Sequence, residues 1–330
     1  MIDFRYHLVS LVSVFLALAV GIALGAGPLQ EPIQTTLDKQ VDDLRQEKDD
    51  LRRLLDTTAL GLGNRDRYLR SITPALVNGQ LGGRTVVLVV LPETDTDELG
   101  RLAEVLEAAG AKVTARVDVQ QGWTDPTRLD DREDLATRLR SVLPAGTPGP
   151  DARDQEVDAT LGALLARAVT TGDLSQSEQS DAVSKRVLDE LDEAGLAKVD
   201  GDFGGRATEA VLLVPAVDLT AEPGATPNDS PTARVEGTWT ALAAALDAGS
   251  DGAVVLGPAS SATSGGVVAA VREDGDVSEL VSTVDTGGTP MGDVTTVLAL
   301  REQQLGGTGK YGFGDGATTP FPPQVLPATP

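Results

Sequence analysis

The chain has 330 residues, a formal net charge of −23, no cysteine and His7 as its one histidine. That charge excludes nucleic acid as a partner, because a phosphate backbone would be repelled, and the missing thiols exclude a disulfide framework or a thiolate site. With neither His nor Cys beyond residue 7, Ser–His, Cys–His and zinc-type catalysis are excluded for the rest of the chain.

The first element is LVSLVSVFLALAVGIALGAG, residues 8–27, an apolar run broken only by Ser10 and Ser13. As a helix, Leu8 to Ala26 is roughly 28 Å long, close to the roughly 30 Å hydrocarbon core of a bilayer. A signal-peptide core is about 7 to 15 residues behind a basic stretch, and the flank MIDFRYH is poorly basic. Residues 1–28 therefore read as an uncleaved transmembrane anchor. The alternative is a cleaved signal peptide, for which Ala23 and Gly25 are suitably small. Arg5 precedes the span and the first cations after it, Lys39 and Arg45, lie well beyond it. That asymmetry puts the N-terminus in the cytoplasm and the bulk outside a plasma membrane. Ser13, Ala17, Gly21 and Gly25 recur every fourth position, a small-residue face that lets membrane helices pack closely; the alternative is chance in an Ala- and Gly-rich segment.

Residues 29–80 change period. Pro28 and Pro32 suit a helix start, and heptad positions fall on Leu37 (d), Val41 (a), Leu44 (d), Lys48 (a), Leu51 (d) and Leu55 (a), a narrow seam. Glu47 at g and Arg52 at the following e match an inter-chain salt bridge between parallel helices. Lys48 in the seam favours two strands in register at a cost in stability. The expected partner is a second copy, in a parallel homodimer; the alternative is one amphipathic helix lying on its own domain. Gly61 and Gly63 are expected to end this helix, with Asn64 capping a shorter one to about Leu76.

Residues 81–314 alternate strand and helix. TVVLVVL (85–91) reads as a strand buried on both faces, 95–111 as an amphipathic helix closed by Gly110, and KVTARVDV (112–119) as the next strand. A helical insertion over about 120–205 follows, with helices near 128–143, 156–168 and 179–194 and a loop at 144–151. Strand signals return at 209–217, 252–258 and 280–285, with helices at 233–248 and 291–304. Five strands separated by helices predict an extracytoplasmic α/β domain with a Rossmann-like, doubly wound parallel sheet. The Pro-rich tail, 315–330, is expected to be disordered.

Chemistry is thinly signalled. GLGNRD (61–66) ends a charged helix rather than following a strand, and GTGKYGFG (307–314) has Tyr311 where a phosphate loop needs Ser or Thr. Asp202-Phe203-Gly204 lacks every companion of the kinase triplet. The most suggestive stretch is GPASSATSGG (257–266), directly after a strand. There Ser260, Ser261, Ser264 and Gly265 offer hydroxyls and amides to an anion; the alternative is an ordinary surface loop. Paired carboxylates such as Asp130-Asp131 and Glu133-Asp134 read as a solvated face. No catalytic set and no cofactor site emerge, and a non-enzyme is the expectation.

Three further stretches carry a resemblance: MIDFRYHLVSLVSVFLALAVGIALGAGPL with the heptads after it, GGVVAAVRED (265–274) with VSTVDTGGTPMGDVTTVLALREQ (281–303), and GKYGFG (309–314). The chain resembles the MctB family of actinobacterial envelope proteins, over the anchor, the heptads and the C-terminal part. The resemblance implies copper export across a mycobacterial-type envelope, with an outer-membrane channel. It also brings in SteB-type relatives, which pair with SteA-type membrane proteins and are linked to cell division and control of peptidoglycan hydrolases. The residues fit a copper channel poorly. Copper(I) prefers Cys and Met, copper(II) imidazole, and the chain offers only His7, Met1 and Met291. One apolar span has no polar face to line a pore, and an outer-membrane barrel needs many alternating strands. A dimeric, membrane-anchored scaffold is the expected role, with copper transport as the alternative.

Overall fold

A computed structural model describes residues 4–25, 30–97, 99–143, 154–217, 231–323 and 325. Two compact units divide the chain, Met1–Arg65 and Asp66–Pro330. The loop expected at 144–151 lies outside the described residues.

Helix α1 spans Phe4–Gly25 and helix α2 spans Gln30–Val77. Within α1, Phe4–Ala23 is long and apolar enough to cross a membrane, with a mean hydropathy of 2.1 and none of it buried in the protein. The helix end expected at Gly61 and Gly63 is overturned, since α2 runs unbroken through both. A glycine inside a helix costs only about 1 kcal/mol against alanine, which the strong helix formers on either side outweigh. Nothing lies within 4 Å of the place where a Cβ would sit on either glycine, so no tertiary contact bends the chain there.

The second unit is built on a seven-stranded sheet in the order β3-β2-β1-β4-β5-β6-β7. Its strands are β1 Thr85–Val90, β2 Lys112–Val119, β3 Ala197–Asp200, β4 Glu209–Leu213, β5 Ala253–Leu256, β6 Ser282–Val284 and β7 Lys310–Tyr311. All neighbours pair in parallel except β2 with β3, which are antiparallel. The wholly parallel five-stranded expectation is thus corrected. The strands β3 and β7 escape notice because they are short and polar, and the chain returns along β3 within the stretch taken as a purely helical insertion.

Helices cover both faces. They are α3 Leu99–Ala108, α4 Leu129–Leu139, α5 Asp154–Val169, α6 Ala182–Glu193, α7 Pro231–Ala248, α8 Val267–Glu273 and α9 Pro290–Gln304. Alternation along β1 decides which side chain meets which layer. Val87 and Val89 face a core shared with Leu135, Leu161, Val187, Leu242 and Val271, from α4 to α8. Val86, Leu88 and Val90 face a second core with Leu102 and Leu106 of α3 and Val297 and Leu300 of α9. Residues 120–205 therefore supply part of one of the three layers, which α7 and α8 complete. This burial on both sides is why β1 has no polar residue after Thr85.

The tail is also corrected in part. Gly312 N–H donates to the Thr319 carbonyl at 3.0 Å and Thr318 N–H to the Lys310 carbonyl at 2.8 Å, so the first residues beyond 314 lie along the open edge of β7. Edge strands leave backbone groups unpaired, and this segment satisfies some of them.

Candidate functional site

The chain runs outward from β1 to β2 and β3 on one side, and from β4 to β5, β6 and β7 on the other. The loops leaving β1 and β4 therefore diverge, and in such sheets the resulting crevice at the carboxyl ends is where ligands bind. A crevice of about 210 Å³ lies there, lined from the loops after β1, β4, β5 and β6. Its floor is the buried Leu213, Val214 and Leu256, and its rim carries Glu93 and Asp95.

Backbone bonds fix these walls. Leu91 N–H donates to the Leu213 carbonyl at 2.9 Å, and Thr94 Oγ1 donates to the same oxygen at 3.3 Å. Asp95 caps its own turn by accepting from Asp97 N–H at 3.0 Å. On the opposite wall Gly287 N–H donates to the Gly257 carbonyl at 2.8 Å. A Cβ on Gly287 would come within 2.8 Å of the Gly257 backbone, so this approach needs glycine. Glu93 has φ +64 and is one of two non-glycine residues with positive φ among those described. A bulky side chain rarely holds that conformation, and strain of this kind gathers at ligand sites.

Behind the β6 wall sits a buried charge cluster, and here the three stretches quoted from the C-terminal part converge. Asp285, fully buried, accepts from Arg272 Nη1, Phe313 N–H and Gly314 N–H, each at 2.9 Å. The Arg272 guanidinium also donates to Thr283 Oγ1 at 2.9 Å, to the Tyr311 carbonyl at 2.8 Å and to the Asp315 carbonyl at 2.7 Å. Gly312 has φ +128, and a Cβ there would collide with the Asp285 carboxylate. GKYGFG is thus a carboxylate cradle rather than a phosphate loop. Sequence reasoning missed this cluster, because residues 272, 285 and 312 share no local period.

The structure separates the four residues of the 257–266 loop. Ser261 is buried and donates to the Pro258 carbonyl at 2.6 Å. Ser260 Oγ accepts from Val217 N–H at 3.1 Å, and its carbonyl takes the Thr263 hydroxyl at 2.7 Å. Ser264 and Gly265 are exposed, the latter with φ +89 in the turn before α8. Two hydroxyls thus stabilise the loop's own backbone, and only Gly257 and Pro258 of this stretch line the crevice.

In the first unit, Leu44, Leu51 and Leu55 are 64%, 54% and 68% exposed and Val41 is 40% exposed. Lys48 is exposed beside them, and Glu47 and Arg52 make no ion pair within the chain among the described residues. Leu37 falls in α2, but its side chain lies outside what the structure describes. Ala17, Gly21 and Gly25 are exposed on α1, and the Ser13 hydroxyl donates to the Val9 carbonyl at 2.8 Å.

Fold and site together define an α/β protein with a ligand-sized crevice over a mostly parallel sheet, in a chain with one helix suited to a membrane. The model of a family described as "Copper transport outer membrane protein, MctB" matches residues 1–322. Proteins called copper transporter MctB from Mycobacterium tuberculosis and Mycobacterium bovis are each 30% identical to this chain, over 96% of it and 98% of their own length. The protein of that name from Mycobacterium leprae is 30% identical over 98% of this chain and all of its own. The chain belongs to the MctB family.

Proposed function

We propose that this protein takes part in copper transport at the cell envelope as a non-enzymatic, single-span plasma-membrane component. Its N-terminus is cytoplasmic, and its α/β unit, Rossmann-like in the order of its first six strands, lies outside. It works as a parallel homodimer seamed along α2 and presents the α/β unit to the partner that moves the ion, so copper is cargo here. The observation that carries the reading is the match over residues 1–322 to a copper-transport family. The composition supports a presenting rather than a ligating role. The chain has no Cys, and Met1 and Met291 are its only soft donors for copper(I); the described residues contain no group of three His, Cys, Asp or Glu able to hold a metal. The cell-division role that the resemblance also implied gains nothing from these relatives, whose names speak of copper alone.

The test is genetic. Deleting the gene in its host should raise cell-associated copper and copper sensitivity, and the full chain should restore both. A deletion strain with unchanged copper content and tolerance would remove the reading. Titrating the purified full chain with copper then separates its two halves: weak binding shared with other divalent ions fits presentation, and a tight stoichiometric site would make the chain itself the carrier.

A further inference from the structure

We infer that the crevice over β1, β4, β5 and β6 is a binding site for a small ligand carrying an ammonium group on a short apolar body. This goes beyond the copper reading and stands independently of it. Size sets the first limit. About 210 Å³ lies below the roughly 300–1,000 Å³ of common ligand pockets, which favours a small body. Charge sets the second. Among the described lining residues Glu93 and Asp95 are the ionisable groups, and no Lys, Arg or His joins them. A phosphate or carboxylate entering there would meet two like charges, whereas an ammonium group finds two acceptors at the rim.

The floor sets the third limit. Leu213, Val214 and Leu256 are buried aliphatic side chains, and the opposite wall is glycine backbone, so a short hydrocarbon body can lie against both. Gly288 has φ +77 and open space where a Cβ would sit, which leaves that wall free for the ligand to approach. Glu93 is held at φ +64, a conformation that the surrounding loop must stabilise. It presents its carboxylate from a fixed turn rather than from a freely moving strand end.

Two sources share this chemistry, a free amine and the unblocked end of a polypeptide. The experiment uses the full chain in detergent micelles, with leucine and valine methyl groups isotope-labelled for NMR. Titration with n-butylammonium should move the Leu213, Val214 and Leu256 methyl signals saturably, and inorganic phosphate at the same ionic strength should not. E93Q combined with D95N should weaken butylammonium binding about tenfold, the worth of a lost charge-assisted hydrogen bond. Glu93→Gly, which takes positive φ without strain, should fold at least as stably as the wild type and bind more weakly too, separating lost charge from lost structure. A short peptide with a free amino terminus that moves the same signals, while its acetylated twin does not, assigns the site to a polypeptide end; butylammonium binding without peptide binding assigns it to a free amine. Equal response to phosphate, or butylammonium binding unaffected by E93Q and D95N, overturns the inference.

Discussion

At the scale of single residues, the two most buried carboxylates among the described residues, Asp285 and Glu209, differ in their partners. Asp285 is fully committed: a guanidinium and two backbone amides converge on it. Asp285→Asn would leave Arg272 without its counter-charge and turn an amide NH2 toward a backbone N–H. The expected loss is about 3–5 kcal/mol, read as a fall in the urea midpoint, with Arg272→Lys also destabilising because a point charge cannot reach four acceptors at once. Glu209 is different. It too is fully buried, but its Oε2 has no partner, and only Gln304 and the Arg84 guanidinium, 3.9 Å away, attend the other oxygen. Burial raises its pKa from 4.5 to about 7, against the opposing pull of Gln304 and Arg84 and with help from the Asp251 charge. The folded chain thus holds this proton more tightly than the unfolded one. The stability it contributes is complete below about pH 4.5 and drains away as pH rises through about 7. Glu209→Gln should flatten that slope between pH 5 and pH 8 and raise stability at pH 8 by on the order of 3 kcal/mol. An unchanged slope in urea unfolding would show that Glu209 is ionised throughout. Neither role was legible in the sequence: Asp285 reads as the end of a strand and Glu209 as the start of one, and only the third dimension supplies their partners.

At the scale of elements, legibility follows length and burial. β1 and β2 emerge within a residue of their observed ends because they are long and either uniformly or alternately apolar. The four-residue β3, the two-residue β7 and the seven-residue α8 are too short to show a period, and glycines misled where the surrounding helix was strong enough to absorb them. The crevice was half visible: the loop after β5 pointed to the right end of the sheet, but its Ser261 and Thr263 hydroxyls serve the loop's own backbone and Ser260 Oγ serves Val217. The heptads of α2 remain the element whose pattern asks for a partner, since exposed Leu44, Leu51 and Leu55 share one seam. A cysteine replacing Leu44 or Leu51 should meet its own copy in a parallel dimer at disulfide distance, whereas one replacing Asp43 or Asp50 should not. The chain has no native cysteine to interfere. Oxidative crosslinking in membranes reads the dimer fraction at each position, and equal fractions at all four would rule out a parallel seam. Lys48→Leu should tighten association while admitting other oligomers, because the buried amine no longer penalises them.

At the scale of the whole molecule, one short segment is suited to crossing a membrane. Phe4–Ala23 is 20 residues of mean hydropathy 2.1, and at about 1.5 Å per residue it matches the hydrocarbon thickness of a bilayer. The segment's one ionised side chain is Arg5, so the remainder carries −24, the net −23 less that +1. That negative balance disfavours holding it to an anionic lipid surface by charge, so this helix is the expected attachment. The protein should therefore stay with the plasma membrane through high salt and alkaline washing and leave it only in detergent. Removing residues 1–25 should release it to the soluble fraction, since the sheet and both its cores lie beyond Asp66. The released chain also tells the two association devices apart: if α2 carries the dimer it stays dimeric, and if the small-residue face of α1 carries it the chain becomes monomeric. Sequencing the N-terminus of the mature protein decides between anchor and signal peptide. A start at Met1 or Ile2 keeps the anchor, whereas a start at or near Ala26 would mean that the apolar helix is cut away and that copies meet through α2 without a membrane to align them.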